Sequence, residues 1–151
     1  MKIRNGFVSN SSSSSFIALA FDVKNVESPF EKIADMLGEK KDFDKKVQEY
    51  LSRDYYSEDD MDEIHREVYW ELDIERSKGV RLLQGSEDGV GKDEKVLAIM
   101  VAETDSYGGG DFSDGEIVLD DSNSDYIMAK ELRDVINPEA SIKIKYGTRC
   151  C

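Results

Sequence analysis

Phe16-Ile-Ala-Leu-Ala-Phe-Asp-Val23 and Val96-Leu-Ala-Ile-Met-Val-Ala102 decide the fold. Successive side chains of a strand point to opposite faces of its sheet. Both stretches are apolar at odd and even positions alike, so each predicts a strand buried on both sides, the first near the centre of a sheet. A sheet covered on both faces needs helices as its cover, and the sequence between and after the two stretches supplies them.

Working outward, Ser28-Pro29-Phe30-Glu31 offers serine at N-cap, proline at the first helical position and glutamate two further on, a helix start. Phe30, Ile33, Ala34 and Leu37 keep helical spacing until Gly38. A second helix carries Phe43, Val47, Tyr50 and Leu51 on one face. Ser57-Glu-Asp-Asp60 caps a third, with acid in its first turn to complement the helix dipole; the periodicity carries it to about Ser77. Met61, Ile64, Val68 and Leu72 form its core stripe, while Trp70 and Ile74 fall opposite at 100° per residue. That side is either sandwiched between two layers or exposed and adhesive, and the expectation is the sandwich, since exposed tryptophan is uncommon.

Val80–Gln84 and Lys95–Glu103 read as strands joined by the loop 85–92, and Glu116-Ile-Val-Leu119 as a further short strand. Ser122 or Ser124 caps a last helix with Ile127, Met128, Leu132, Val135 and Ile136, which Asn137-Pro138 ends. Ile142, Ile144 and Tyr146 then alternate with Lys143 and Lys145, as in an edge or one-sided strand. The expected order is β-α-α-α-β-β-β-α-β. That is an α+β chain of one domain over residues 1–151, with a mixed sheet of about five strands covered by helices and residues 1–15 as a serine-rich lead-in.

The chain has 151 residues, 39% of them apolar, enough for a real core. Asp and Glu number 33 against 20 Lys and Arg, a net charge of −13. Binding phosphates means neutralising them with Lys and Arg, so this field disfavours nucleic acid and anionic membranes as direct ligands. It attracts a protein with a basic surface, a groove built for nucleic acid included, or it simply maintains solubility. The two cysteines, Cys150 and Cys151, are adjacent and give neither a disulfide framework nor a zinc spacing, which fits a reducing compartment. Serines stand where a secretory signal needs its apolar region, and no apolar stretch is long enough to span a bilayer. A cytoplasmic protein is the expectation.

No recognisable catalytic set, metal site or cofactor motif emerges. Gly85–Lys92 ends in Gly-Lys as a phosphate loop does, yet its first glycine is misplaced by one residue. Asp93 also stands where a Ser or Thr hydroxyl belongs, and a strand follows instead of a helix. The acidic loop after Asp105 fails as a calcium loop, because Gly110 and Phe112 occupy the first and third ligand positions; a looser cation site at Asp111, Asp114 and Glu116 is the alternative to a solvated loop. His65, the only histidine, has no second histidine or cysteine beside it and reads as a half-buried helix residue.

One segment stands apart: Gly6-Phe-Val-Ser-Asn-Ser-Ser-Ser-Ser-Ser-Phe16. Ser9, Asn10, Ser11, Ser12, Ser13, Ser14 and Ser15 present small polar side chains and approachable backbone amides just ahead of the central strand. With Lys2, Arg4 or Arg149 they form a candidate phosphate or carboxylate cradle, or a modification site. An ordered structural lead-in and a flexible low-complexity stretch are the other readings.

The opening Met1-Lys-Ile-Arg-Asn-Gly-Phe-Val-Ser-Asn-Ser-Ser-Ser-Ser-Ser-Phe-Ile17, with Tyr146-Gly-Thr-Arg149 near the other end, resembles small proteins of tailed bacteriophages and related mobile elements. The resemblance covers under a fifth of the chain. It implies a phage or prophage origin and an infected or lysogenic bacterial host; no activity attaches to the motif.

The leading expectation is a non-enzymatic phage accessory protein that binds a host or phage protein through an acidic surface, an inhibitor of a host defence or nucleic-acid-handling system in the manner of a DNA mimic. The surface expected to do so is Glu58, Asp59, Asp60, Asp62, Glu63 and Glu67 with Trp70 as apolar anchor. A small-molecule or nucleotide-binding protein or enzyme using the serine segment is the second expectation, and a virion component the third.

Overall fold

The computed structural model describes residues 14–105 and 116–149. Their contacts gather in two compact units: residues 25–80, mainly helical, interrupt a sheet unit formed by the chain before and after them. The α+β class expected from the sequence is the class observed.

In the sheet unit, β1 (Ser14–Asp22), β2 (Val80–Gln84), β3 (Lys95–Asp105) and β4 (Lys143–Arg149) form one antiparallel sheet in the order β2-β3-β1-β4. The two strands with apolar residues on both faces are thus the two central ones. Leu19 lies opposite Ile99 on one side and Ile144 on the other. The register shifts by one residue beside Ile17, which faces Ala102 while Ala18 faces Met100. One face of the sheet buries Phe16, Ala18, Ala20, Leu83, Val96 and Ala98, with Val90 and Met100 packed against them. The alternate row, Leu19, Phe21, Leu97 and Ile99, is buried as well. Helix α5 (Ser124–Ile136) packs on β1 and β3 and buries Ala129, Leu132 and Ile136.

Among the described residues the sheet has four strands and its pairings are antiparallel, where a mixed sheet of about five was expected. Glu116–Leu119 carries no regular structure, and Val118 and Leu119 are exposed; a short apolar run becomes a strand only where an edge pairs with it. The cap of α5 is Asn123, between the two serines expected to provide it. Its side-chain oxygen accepts from the backbone N–H groups of Asp125 and Tyr126 at 2.9 and 3.2 Å.

In the helical unit, α1 (Pro29–Met36), α2 (Lys40–Leu51), α3 (Met61–Glu71) and α4 (Ile74–Lys78) pack around Ile33, Phe43, Ile64, Val68 and Ile74, each 0% exposed. The third helix does not run through to Ser77. Asp73 adopts a left-handed conformation (φ 57°) and ends it, and α4 starts afresh. The break resolves the two residues that faced away from the core stripe in opposite ways: Ile74 turns inward, while Trp70 stays 71% exposed. The expected sandwich around Trp70 is therefore wrong, and the exposed side is what the structure has. Among the described residues no helix is long and apolar enough to cross a membrane.

Candidate protein-binding face

The exposed side of α3 is set up by its N-terminus. Ser57 forms a capping box: its hydroxyl accepts from Asp59 N–H at 3.3 Å, and its own N–H donates to the Asp60 carboxylate at 2.9 Å. A turn of 3₁₀ helix (Glu58–Asp60) then leads into α3. The helix buries Ile64, His65, Val68 and Tyr69; the Tyr69 ring lies 4.7 Å from that of Phe30 and its hydroxyl donates to the Val80 carbonyl at 2.6 Å. With that arc turned inward, the i, i+4, i+7 positions Glu63, Glu67 and Trp70 line up on the outer side, all exposed.

Three tyrosines adjoin this line. Tyr50, at the end of α2, stacks edge-on to Tyr56 (5.4 Å), and Tyr55 lies 4.7 Å from Tyr56. Arg53 sits over the Tyr50 ring, 4.1 Å from its centroid. The Tyr50 hydroxyl donates a short hydrogen bond to Glu71, which, with burial, pushes its pKa up to about 12. Tyr56 is also shifted up, by burial first and then by Glu63, Tyr55 and Glu67. The face therefore runs from Tyr55, itself 74% exposed, through Tyr56, Glu63 and Glu67 to Trp70. The unit around it carries 17 carboxylates against nine lysines and arginines between residues 25 and 80.

The structure thus divides the expected partner-binding residues. Glu63, Glu67 and Trp70 share one face, with exposed Glu58 and Asp59 at its N-terminal end. Asp60 is held in the cap, and Asp62 lies close enough to His65 to act on its imidazole. Tyr55 and Tyr56 were missed because periodicity has no hold on residues between helices. The available signal was two consecutive aromatics in an otherwise polar stretch.

Of the expected ligand residues, Ser14 and Ser15 are in β1 with their hydroxyls engaged. Ser14 Oγ donates to Glu103 at 3.0 Å, where Arg81 also binds at 2.6 Å, and Ser15 Oγ is 3.2 Å from Thr148 Oγ1. These bonds tie the first turn of the central strand to both its neighbours. Arg149 stands opposite Ser14 in the β1–β4 register. Lys2, Arg4, Ser9, Asn10, Ser11, Ser12 and Ser13 lie outside the described residues, as do Asp111, Asp114, Cys150 and Cys151. The loop after β2 is a hairpin connection, with a 3₁₀ turn at Ser86–Asp88. His65 is fully buried at 4% exposure, more deeply than expected. Among the described residues no group of three His, Cys, Asp or Glu side chains is placed to hold a metal ion. No protein-family model, curated protein or solved structure matches the chain.

Proposed function

We propose that the chain is a non-enzymatic accessory protein that binds a host or phage protein carrying a basic surface, with the face Tyr55–Tyr56–Glu63–Glu67–Trp70 as its contact. The observation that carries the reading is Trp70, 71% exposed beside two carboxylates on the same helix face. Large aromatic anchors dominate interface energetics, and a surrounding rim of one charge steers a partner of the other. The bacteriophage resemblance of the opening segment supports a setting in the cytoplasm of an infected or lysogenic bacterium. There an acidic face suits a groove that normally holds nucleic acid, and its occupation inhibits the nucleic-acid-handling or defence protein that owns the groove.

The test is capture of partners from host lysate at low salt by the wild-type chain, Trp70→Ala and the double variant Glu63→Lys/Glu67→Lys. All three positions are exposed, so the variants keep the wild-type Tm. Trp70→Ala weakens capture of the recovered partner by about 30-fold, the effect of losing about 2 kcal/mol at an interface anchor. The double reversal abolishes capture at low salt. A partner that both variants bind as tightly as the wild type overturns the reading.

A further inference from the structure

The sheet stops at β4 with its outer edge unused. In the order β2-β3-β1-β4 this strand pairs with β1 alone, and among the described residues no backbone hydrogen bond joins 143–149 to any other segment. An edge strand turns half of its N–H and C=O groups outward, a ready row for one more strand. The side chains along it alternate in kind. Lys143 and Lys145 share a face with Ala20 and Ala18, their partners on β1, whereas Ile144 and Tyr146 stand beside Leu19 and Ile17 on the other face. Ile144 and Tyr146 are exposed there. In a chain of net charge −13, this edge is basic on one face and apolar on the other.

Like charges directly opposite each other are destabilising, so a lysine-lined edge disfavours a second β4 and favours an acidic strand. The chain contains a segment that fits. Extended, Glu116-Ile-Val-Leu-Asp120 puts Glu116, Val118 and Asp120 on one side and Ile117 and Leu119 on the other. Residues 116–119 have no regular structure and, among the described residues, take no backbone hydrogen bond; Val118 and Leu119 are exposed. Within its own chain the segment is tied to α5 and not to β4. Asp120 accepts from the N–H and the hydroxyl of Ser122, and Asp121 pairs with Lys130 at 3.1 Å.

Laid antiparallel on β4 with Leu119 opposite Ile144, the segment brings Ile117 opposite Tyr146 and Asp120 opposite Lys143, with Glu116 diagonal to Lys145. The apolar rows Leu19–Ile144 and Ile17–Tyr146 each gain a third member, and the acids meet the basic face. A slip of one residue sets Leu119 against a lysine, so the pattern selects its register. We propose that residues 116–120 of one copy of this chain add to the β4 edge of a second copy, and that the exchange is mutual and closes a dimer. No residue of the Trp70 face takes part, so the dimer does not depend on that face.

Sedimentation equilibrium of the full chain tests this. At about 0.15 M salt screening acts over about 8 Å, which suppresses repulsion between whole molecules but spares contacts within paired strands. The wild type is a monomer–dimer mixture with a Kd on the order of 100 µM, weak as one short strand per side implies. Leu119→Glu and Ile144→Lys each place a charge in the apolar row and weaken the dimer by about tenfold or more. Both positions are 45% exposed, so both variants fold, as circular dichroism and Tm verify. Mixed in equal amounts, the two variants associate again: one exchanged strand is wild type at both positions, and in the other the new glutamate faces the new lysine. Trp70→Ala dimerises like the wild type. A chain that stays monomeric up to millimolar concentration overturns the proposal and leaves the edge to a strand of another protein. So does a Leu119→Glu or Ile144→Lys variant that dimerises as tightly as the wild type, or a mixture no more associated than its components.

Discussion

His65 is the one histidine of the chain, and its burial changes how it titrates. Burial lowers its pKa, and the carboxylates of Glu31, Asp62 and Asp44 oppose that shift without cancelling it. The sign of the consequence follows from linkage. In the unfolded chain the imidazole titrates near 6.5, so below that pH the unfolded state takes up a proton that the folded state resists. The contribution of a neutral His65 to stability is fully present above about pH 6.5 and is lost as the pH falls towards the depressed folded value. Urea unfolding of the wild type and of His65→Gln between pH 5 and 8 isolates this effect from the many carboxylates, which titrate in both proteins. The stability difference in favour of the wild type shrinks below about pH 6.5; a difference that is flat or grows on acidification refutes the assignment. Residue-level reading of the sequence placed His65 on the right helix but at the edge of the core stripe. It lies inside because Tyr69, four residues on, is drawn in by its bond to Val80, and the buried arc widens to that side.

At the scale of elements, the hairpin between β2 and β3 folds back on the edge strand. Gly89, with φ +84°, brings its carbonyl so close to Gly147 that a Cβ built on Gly147 falls on the Gly89 oxygen. A Cβ on Gly89 meets the Phe16 ring and the Thr148 carbonyl, each at 2.8 Å. Backbone faces backbone here, and neither side yields as a flexible side chain does. Gly147→Ala therefore destabilises the chain by about 1–3 kcal/mol, the usual cost of overpacking, measured as a drop in urea midpoint at constant m-value. A variant as stable as the wild type means that this contact is loose. The same scale shows where sequence was legible. The central strands could be read because apolar residues on both faces leave no other placement, and the edge strand because lysine alternates with Ile144 and Tyr146; that this apolar row is exposed was not legible from the alternation. The line Glu63, Glu67, Trp70 followed from helical spacing. The break at Asp73 did not, since the left-handed residue there is not glycine. Nor did the absent strand at Glu116–Leu119, whose composition suits pairing but cannot specify a partner edge.

For the whole molecule the governing quantity is charge. A net −13 over 151 residues makes every added carboxylate work against the compact state. The ion pairs that oppose this repulsion, Lys40–Asp44 at 3.1 Å and Lys130–Asp121 at 3.1 Å among them, are largely solvent-exposed, and such pairs contribute little individually. The better-shielded ones, Arg81–Glu103 at 2.6 Å and Lys145–Glu94 at 2.7 Å, lie in the sheet unit. The helical stretch, with 17 acids to nine bases, has the larger excess of one sign. Screening acts over about 10 Å at 0.1 M salt, a range that weakens distant like-charge repulsion more than close opposite-charge contacts. Repulsion is therefore what salt relieves. On going from about 10 mM to about 500 mM sodium chloride, Tm rises by about 2–4 °C, the shift that about 1 kcal/mol produces in a chain of this size. Potassium chloride gives the same rise, because the effect is one of ionic strength. A Tm that falls with salt shows that ion pairs outweigh the repulsion. The same titration bears on the proposed partner: the salt that stabilises the free chain screens its acidic face and releases the complex, so stability and binding move in opposite directions along one axis.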